Sequence, residues 1–344
     1  MVEQAQQRLF AHGGLSPFAF GLGQGLVFAI GFDADGTGRD LEVKDAEQRL
    51  AQRRGVVWIH LDLNTTPAKH WVETQGWLPD GAKEWLLTRE TYARIETTAQ
   101  GVTGILTDFC HELEAVDWRP GHLHFYADDH AIVTARRHPL AAVERARKAV
   151  AQGVTATTGL SVLVRIVESL GRLLEGATDA LERSIEQAED QIERDEPERL
   201  RQSLGEVRKR AILLYRHLHR EERVFSRLCA KPPPWICSDD LAGLREGLEY
   251  LGRTAEDLDT VQLRSRLLQD ELAARLAEAT NRNVYVLSIL SAVLLPMSLI
   301  AGMFGMNLGG LPGLNSPLGF WVVSLVIVVV GGLTLLILRW RKIL

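Results

Sequence analysis

The fold of this chain is decided by the stretch VYVLSILSAVLLPMSLIAGMF, at Val284–Phe304, and by a second stretch, LGFWVVSLVIVVVGGLTLLIL, at Leu318–Leu338. Each stretch has 21 residues and no charged side chain. A helix needs about 20 apolar residues to cross the ~30 Å hydrocarbon layer of a bilayer. The segment between them, residues 305–317, is also uncharged. Because the rest of the chain is rich in charge, this pattern predicts two transmembrane helices at its C-terminal end.

The basic residues around these stretches predict how the spans are oriented. Arg275 and Arg282 precede the first stretch, and Arg339, Arg341 and Lys342 follow the second. Basic residues that flank membrane spans stay on the cytoplasmic side. We therefore expect a multi-pass protein of the cytoplasmic (inner) membrane, with both termini in the cytosol and the short loop on the outer side.

Composition limits the class of protein further. The 344 residues include 39 basic and 44 acidic side chains, which give a formal net charge of −5, so we expect no nucleic-acid partner. Cys110, Cys229 and Cys237 are odd in number and follow no zinc-site spacing, which argues against a disulfide framework. The polar start, Met1–Phe10, predicts no signal peptide. No nucleophile–base constellation or phosphate-binding loop indicates an enzyme, and no resident cofactor is expected.

Residues 1–158 are expected to form a cytosolic α/β domain. Short runs rich in β-branched and aromatic residues, several bounded by Gly, Asp or Asn, predict strands. The predicted strands are Gly25–Phe32, Val56–Leu63, Val102–Phe109, His122–Tyr126 and Ala131–Ala135. Thr66 followed by Pro67 is typical of a helix start. We therefore expect one helix over Ala68–Gln75 and another over Leu78–Leu87.

From Gly159 the apolar residues recur every three or four positions, which is the period of a helix. The recurring residues are Leu181, Ile185, Ala188 and Ile192, then Leu200, Leu204, Val207, Ala211, Leu214 and Leu218. The break at Asp195–Pro197 separates the two series, since proline interrupts helices. The pattern predicts an antiparallel helical hairpin within the cytosolic region 159–235. The many acidic residues on its outer side are interpreted as a solvated surface.

Region 236–304 is expected to form one long helix. It follows a break at Pro232–Pro234, Ser238 or Asp239 can cap it, and Pro296 is its one proline. About 65 residues at 1.5 Å each give a rod of roughly 100 Å. Its first two-thirds are amphipathic, so the sequence predicts a cytosolic stalk helix that continues into the first transmembrane helix. The segments expected after it are an external loop at 305–317, a second transmembrane helix at 318–338 and a basic cytosolic tail at 339–344.

One face of the first span carries small and hydroxyl residues. Spaced three or four apart, the members of this polar stripe are Asn281, Val284, Ser288, Ser291, Leu295, Ser298 and Gly302. Such a stripe permits close approach of helices, and in a ring of subunits it would also line a narrow path. The stripe alone favours helix packing. The second span is almost wholly Val, Ile and Leu, which is typical of a lipid-facing helix.

Gly305-Met306-Asn307 comes directly after the first span. This motif resembles the signature of the CorA family of divalent-cation transporters, which lies at the outer end of the first of two C-terminal spans. Pro296 and the basic tail fit the same pattern. Upstream, Trp58–Asp62 and Leu123–Arg137 look like strands of the family's cytosolic domain. The similarity extends over essentially the whole chain.

The loop after the motif is similar to that of the ZntB zinc-transporter branch. It continues as Asn307-Leu-Gly-Gly-Leu-Pro-Gly313 and has no acidic residue, whereas magnesium transporters of the family often carry one. The resemblance therefore favours Zn²⁺ as the transported ion, with Mg²⁺, Co²⁺ or Ni²⁺ as the alternative. Whether transport is channel-like or coupled to protons, and in which direction it runs, stays open.

The resemblance implies an α+β membrane protein that assembles as a homopentameric funnel in the lipid bilayer. Asn307, beside Gly305 and Met306, would form a ring of amide oxygens that binds the hydrated ion at the entrance. The first spans would line the path with Val284, Leu287, Ser291, Leu295, Ser298 and Gly302. Asp270 would form an acidic collar that concentrates cations or gates the inner end.

Two details of this path stay open. Leu287 and Leu295 are candidate apolar constrictions, since hydrophobic rings close a pore by dewetting. Leu287 lies beside the stripe, so Ser288 is the alternative at that level. Neither span nor the loop contains a His, Cys or carboxylate ligand for Zn²⁺, which means that zinc would have to pass hydrated.

Two other hypotheses remain. A membrane-tethered scaffold or signalling protein would also need two spans and a stalk, but it would not require the Gly-Met-Asn motif. A cytosolic zinc site is conceivable at His122 and His124, with Asp128, Asp129 and His130 just beyond. Solvent-facing polar residues at a hairpin are the favoured interpretation of those five side chains.

Overall fold

The computed structural model describes residues 25–112, 115–192, 197–306 and 318–341. The strands are β1 (Leu26–Phe32), β2 (Gly38–Asp40), β3 (Val56–Asp62), β4 (Arg94–Thr97), β5 (Val102–Glu112), β6 (Ala115–Ala127) and β7 (Ala131–Arg136). The helices are α1 (Val43–Gln52), α2 (Thr66–Thr74), α3 (Asp80–Leu87), α4 (Ala141–Ala151), α5 (Gly159–Gln191), α6 (Pro197–Ala230), α7 (Ser238–Phe304) and α8 (Gly319–Trp340). An N-terminal α/β part and two apolar C-terminal helices are thereby confirmed.

The strands form one seven-stranded sheet in the order β2-β1-β3-β7-β6-β5-β4. Strands β3 and β7 are parallel, and every other neighbouring pair is antiparallel. The parallel pair reads VVWIHLD and AIVTAR and is buried almost throughout. Near-continuous apolar strands of this kind are typical of a sheet that is covered on both faces.

Helices cover the sheet on its two faces. On one face Val57, Ile59 and Leu61 of β3 share a core with Trp71 of α2 and Leu86 of α3. On the other face Trp58 and His60 contact the ring of Phe28, with ring centroids 4.8 and 5.0 Å away. The guanidinium of Arg147, from α4, lies 5.5 Å over the same ring. Because side chains alternate along a strand, β3 contributes to both cores, and the layers are helix, sheet and helix.

The long helices α5, α6 and α7 pack together beside the sheet. Helix α5 begins with a capping box, in which the Thr158 hydroxyl accepts from the Ser161 amide at 2.8 Å and the Ser161 hydroxyl accepts from the Thr158 amide at 3.0 Å. Arg264 of α7 forms an ion pair with Glu189 of α5 at 2.9 Å. Ser265 donates to the carbonyl oxygen of Leu204 in α6 at 2.9 Å. These contacts fix the start of α5 and hold α7 against both helices.

The chain divides into two compact units. The first consists of Met1–Arg194 with Gln202–Arg266, and the second of Asp195–Arg201 with Leu267–Leu344. The sheet and its helix layers belong to the first unit. The second unit contains both apolar stretches and, with them, the candidate ion path.

Candidate functional site

Two helices are long and apolar enough to cross a membrane. The most apolar 18-residue window of α7 has a mean hydropathy of 2.3, and that of α8 has 2.8. None of the α7 window and 6% of the α8 window is buried within the chain. Apolar surface of this extent requires lipid or other protein to cover it.

The stripe on the first span is open within the chain. Val284, Leu287 and Leu295 are 56, 64 and 67% exposed. Ser298 and Gly302 are exposed as well, and Ser291 is half-buried. A Cβ atom added to Gly302 would meet no atom within 4 Å. Among the described residues, therefore, nothing closes over this face of the helix.

The second span packs on a different face of the first. Gly331 of α8 is buried, and a Cβ atom added there would lie 2.8 Å from the sulfur of Met297 in α7. The helix face of Met297 also carries three half-buried residues, Ile289, Val293 and Ile300. With Met297 they follow one another at spacings of three or four residues. At 100° per residue this face lies opposite the stripe. The stripe is thus turned away from the contact between the two spans.

The serine hydroxyls of the stripe are engaged within the helix. Ser288 donates to the carbonyl oxygen of Val284 at 2.8 Å, and Ser291 donates to that of Leu287 at 2.8 Å. Their protons are therefore not directed outward, although each oxygen retains acceptor capacity. No group of three His, Cys, Asp or Glu side chains that could hold a metal ion occurs within the described ranges. The stripe is chemically a weakly polar wall.

The signature motif is described only in part. Helix α7 ends at Phe304, and the amide of Gly305 donates to the carbonyl oxygen of Ala301 at 2.9 Å. A Cβ atom at Gly305 would lie 3.2 Å from that same oxygen, a tight contact. Met306 is 46% exposed. Asn307, like the rest of the loop up to Pro317, lies outside the described residues.

Asp270 is an exposed acidic residue of α7. It forms no ion pair with any residue that the structure describes. Arg275, the nearest following basic residue, instead pairs with Glu271 one turn away, with Nη2 to Oε1 at 2.8 Å. Arg266 lies one turn before Asp270, but among the described residues it forms no ion pair with the Asp270 carboxylate.

Comparison with known proteins identifies the family. Residues 53–340 match the family described as "CorA-like Mg2+ transporter protein". The chain belongs to the CorA family of divalent-cation transporters. The family predicted from Gly305-Met306-Asn307 is confirmed, and with it the interpretation that the chain is a transporter and not an enzyme.

Curated relatives place this CorA-family chain in the ZntB branch. The zinc transport protein ZntB of Pectobacterium carotovorum is 31% identical over 290 residues, which is 83% of this chain and 87% of that protein. The ZntB of Yersinia enterocolitica is 30% identical over 280 residues, covering 80 and 84%. The branch predicted from the loop sequence is thus confirmed.

Solved structures share the fold. Full-length CmaX superposes with a TM-score of 0.77 at 25% identity, covering 93% of this chain and 98% of that one. The CorA magnesium transporter of Methanocaldococcus jannaschii gives a TM-score of 0.75 at 18% identity, covering 91 and 98%. At 18% identity, the similarity to the Methanocaldococcus jannaschii structure indicates a shared fold and nothing more.

The histidines of β6 do not form the zinc site considered above. His124 is 1% exposed; its Nδ1 donates to the carbonyl oxygen of Trp85 at 3.0 Å, and its Nε2 accepts from Arg137 at 3.2 Å. Burial lowers the pKa of His124 to about 4, so the ring is neutral at pH 7. Asp128 instead accepts from the amides of His130 and Ala131, at 2.8 and 2.7 Å. The interpretation favoured from the sequence, that these side chains face solvent, is wrong for His124 and Asp128, because both are buried.

The structure also shows two buried carboxyl groups that the sequence analysis did not find. Asp108 of β5 accepts from the amides of Ala142 and Val143 at the start of α4, at 3.0 and 3.3 Å, and burial raises its pKa to about 6. Glu221 of α6 accepts from the Thr107 amide at 2.6 Å. Burial, with a smaller contribution from Asp108, raises the pKa of Glu221 to about 8. Both acids depend on contacts between distant segments, which leave no local signal.

Proposed function

We propose that five copies of this chain form a ring in the cytoplasmic membrane and conduct hydrated Zn²⁺ along their first spans. Both termini lie in the cytosol in this arrangement. The observation that carries the proposal is the stripe of α7, which is open within the chain and lies opposite the Met297–Gly331 contact. A surface with this placement fits the wall of a central path, with the second spans outside it.

A ring is required because two spans in one chain cannot enclose a path. The open stripe, from Val284 to Gly302, would meet its counterparts around an axis. Lipid would then cover the outer surface of α8, whose most apolar window is 6% buried within the chain. The five-fold number comes from the resemblance to the CorA family.

The chemistry of the path favours an ion that keeps its water. Zn²⁺ that loses its water prefers His, Cys or carboxylate ligands at about 2.0–2.3 Å, and the stripe has none. Amide oxygens of Asn307 accept hydrogen bonds from the water shell of a divalent ion, while Gly305 keeps the helix exit narrow enough to bring the ring together. Leu287, or Ser288 at its level, and Leu295 form the constrictions.

The choice of zinc rests on the relatives named ZntB and on the uncharged loop. Mg²⁺, or Co²⁺ or Ni²⁺, is the second candidate, since the family description names Mg²⁺ and hydrated Mg²⁺ dehydrates reluctantly.

The roles that we propose for the parts of the chain follow the segments expected from the sequence. These are a cytosolic α/β domain at 1–158, a helical region at 159–235, a stalk and first span at 236–304, a loop at 305–317, a second span at 318–338 and a cytosolic tail at 339–344.

Reconstitution into liposomes tests this function. Vesicles loaded with zinc- or magnesium-sensitive dyes, with and without a pH gradient, should show faster entry of Zn²⁺ than of Mg²⁺. Asn307→Ala should abolish entry while assembly is kept. Asn283→Ala removes the same side chain from an exposed position off the stripe and should leave entry unchanged. Normal flux through the Asn307→Ala protein would show that the motif is structural only.

A further inference from the structure

A cavity of about 770 Å³ lies in the first compact unit, away from both spans. Its walls include the basic or titratable side chains of Lys69, Arg89, His122, Arg137 and His138, and the acid Glu90. Volumes of 300–1,000 Å³ are typical of small-molecule sites. Neither the candidate path nor the proposed function uses this cavity.

The topology of the sheet explains why a cavity forms there. Strands β3 and β7 are adjacent and parallel, and the cavity is lined by Leu63 and Asn64 after β3 and by Arg137 and His138 after β7. Helix α2, which follows β3, packs on one face of the sheet. Arg147 of α4, which follows β7, lies on the other. Crevices where the connections of neighbouring parallel strands diverge in this way are the usual ligand sites of α/β sheets.

The charge of the cavity is unbalanced. Among the described residues, Lys69, Arg89 and Arg137 form no ion pair, and Glu90 forms none with them. Burial and the nearby charge of Arg89 lower the pKa of Arg137. Burial, together with Arg137 and His138, lowers the pKa of His122. Arg89 and Arg137 therefore repel each other, and an anion between them would relieve that repulsion.

Hydrogen bonds hold the Arg137 side chain in a fixed position in the cavity wall, from which it can bind an anion. Its Nη2 donates to the carbonyl oxygens of Leu87 and Thr88 at 3.1 and 2.8 Å, and its Nη1 donates to Nε2 of His124 at 3.2 Å. A guanidinium has five N–H groups, so two remain for a ligand. The neutral His124 ring accepts from Arg137 because its own Nδ1 donates to Trp85. A fixed arginine loses little freedom when it binds an anion.

We propose that this cavity binds a small, soluble, phosphate-bearing anion between Lys69, Arg89 and Arg137. Arg and Lys are the usual partners of phosphate oxygens. The cavity is larger than one phosphate group, so the ligand carries a further polar part. Its described lining has no Phe, Tyr or Trp on which a base would stack, which points to a phosphorylated metabolite without a nucleobase.

Calorimetry with inorganic pyrophosphate tests the proposal on the full-length protein in detergent, freed of metal and held at constant ionic strength. One saturable site per chain is expected. Lys69→Gln combined with Arg89→Gln should weaken binding at least tenfold. The matched control is Arg145→Gln combined with Lys148→Gln, which removes two exposed charges of α4 outside the cavity and should change Kd less than twofold.

Three outcomes would overturn the site. They are the lack of saturable binding by the unmodified protein, equal weakening in both double variants, and unchanged affinity in the Lys69/Arg89 variant. Arg89→Gln alone serves as the second variant if the double variant does not fold, and it should weaken binding at least threefold. The measurement does not involve ion flux, so its result is independent of the transport proposal.

Discussion

Asp108 and Glu221 are the two buried acids that connect strand β5 to helices α4 and α6. The Asp108 carboxylate accepts hydrogen bonds from amides at the start of α4. It thus takes the place of an N-cap side chain, which the residue before α4 does not supply. Glu221 bonds to the Thr107 amide through one oxygen, and its Oε2 has no partner among the described residues. An acid whose pKa is raised by folding holds its proton more tightly in the folded than in the unfolded state. Its contribution to stability is therefore full at low pH and declines as pH rises.

Glu221→Gln should make stability less dependent on pH. In the unmodified protein the unfolded chain ionises Glu221 near its ordinary pKa of 4.5, whereas the folded chain does so near 8. Stability should thus fall between pH 5 and 8, by a few kcal/mol at most. The Tm of the full-length protein in detergent should drop less over this range in the Glu221→Gln variant. Glu206→Gln, at an exposed position of the same helix, is the control and should keep the original slope.

Asp270→Asn should reduce ion flux several-fold at low ionic strength. Five carboxylates around an axis would raise the local cation concentration, and salt would screen this field over about 8–10 Å. The loss should therefore shrink at high salt. Liposome flux at two salt concentrations measures it, and Asp257→Asn, on the other side of the same helix by its period, is the control. Normal flux of the Asp270→Asn protein at both concentrations would leave Asp270 as an ordinary solvated acid.

The surroundings of a single residue can be predicted only where its sequence neighbours determine them. The small Gly305 at the end of a span could be recognised from the motif itself. The buried state of His124 could not, because it depends on Arg137 and Trp85, which other elements bring to it. Glu221 and Thr107 meet across more than a hundred residues of chain. Such pairings are set by tertiary packing, which single-sequence periodicity does not encode.

At the scale of elements, the length and period of the apolar pattern decided what could be predicted. The five predicted strands are present, and the long helix expected over region 236–304 spans Ser238–Phe304. The edge strands β2 and β4 were missed because they are three and four residues long and mostly exposed. Helix α1 was missed because it buries only Ala46 and Leu50. Helix α4 was missed as well, because three of its five buried residues are alanines and give little apolar periodicity. A short element that contributes few core residues leaves a pattern too weak to detect.

Helix α7 should show a helical period of accessibility along its first span. Single cysteines at Ser291, Leu295, Ser298 and Gly302, in a chain whose own cysteines are replaced, should allow thiol reagents to block flux. Cysteines at Val293 and Ile300 should not, since these positions share the face of Met297 that packs on Gly331. The measurement is residual flux after labelling. Block concentrated within Leu318–Leu338 would instead assign the path to the second span.

At the scale of the whole molecule, the exposed spans predict an assembly. Large apolar side chains such as Leu287, Leu295 and Leu299 are about two-thirds exposed within the single chain, and the open stripe offers each copy a surface for its neighbours. Native mass measurement in nanodiscs should give five times the mass of one chain. A stable monomer or dimer would remove the basis for a central path.

The pairing of β3 with β7 also orders events during synthesis. The sheet cannot close until Arg136 has been made, since β3 needs a partner about 70 residues later in the chain. The roughly 150 residues between Arg136 and Val284 then take roughly 8–30 s to translate at about 5–20 residues per second. Every strand has therefore left the ribosome before the first apolar span is made. The α/β fold can therefore form before the first span enters a membrane, and a nascent chain stopped before Val284 should already contain the complete sheet.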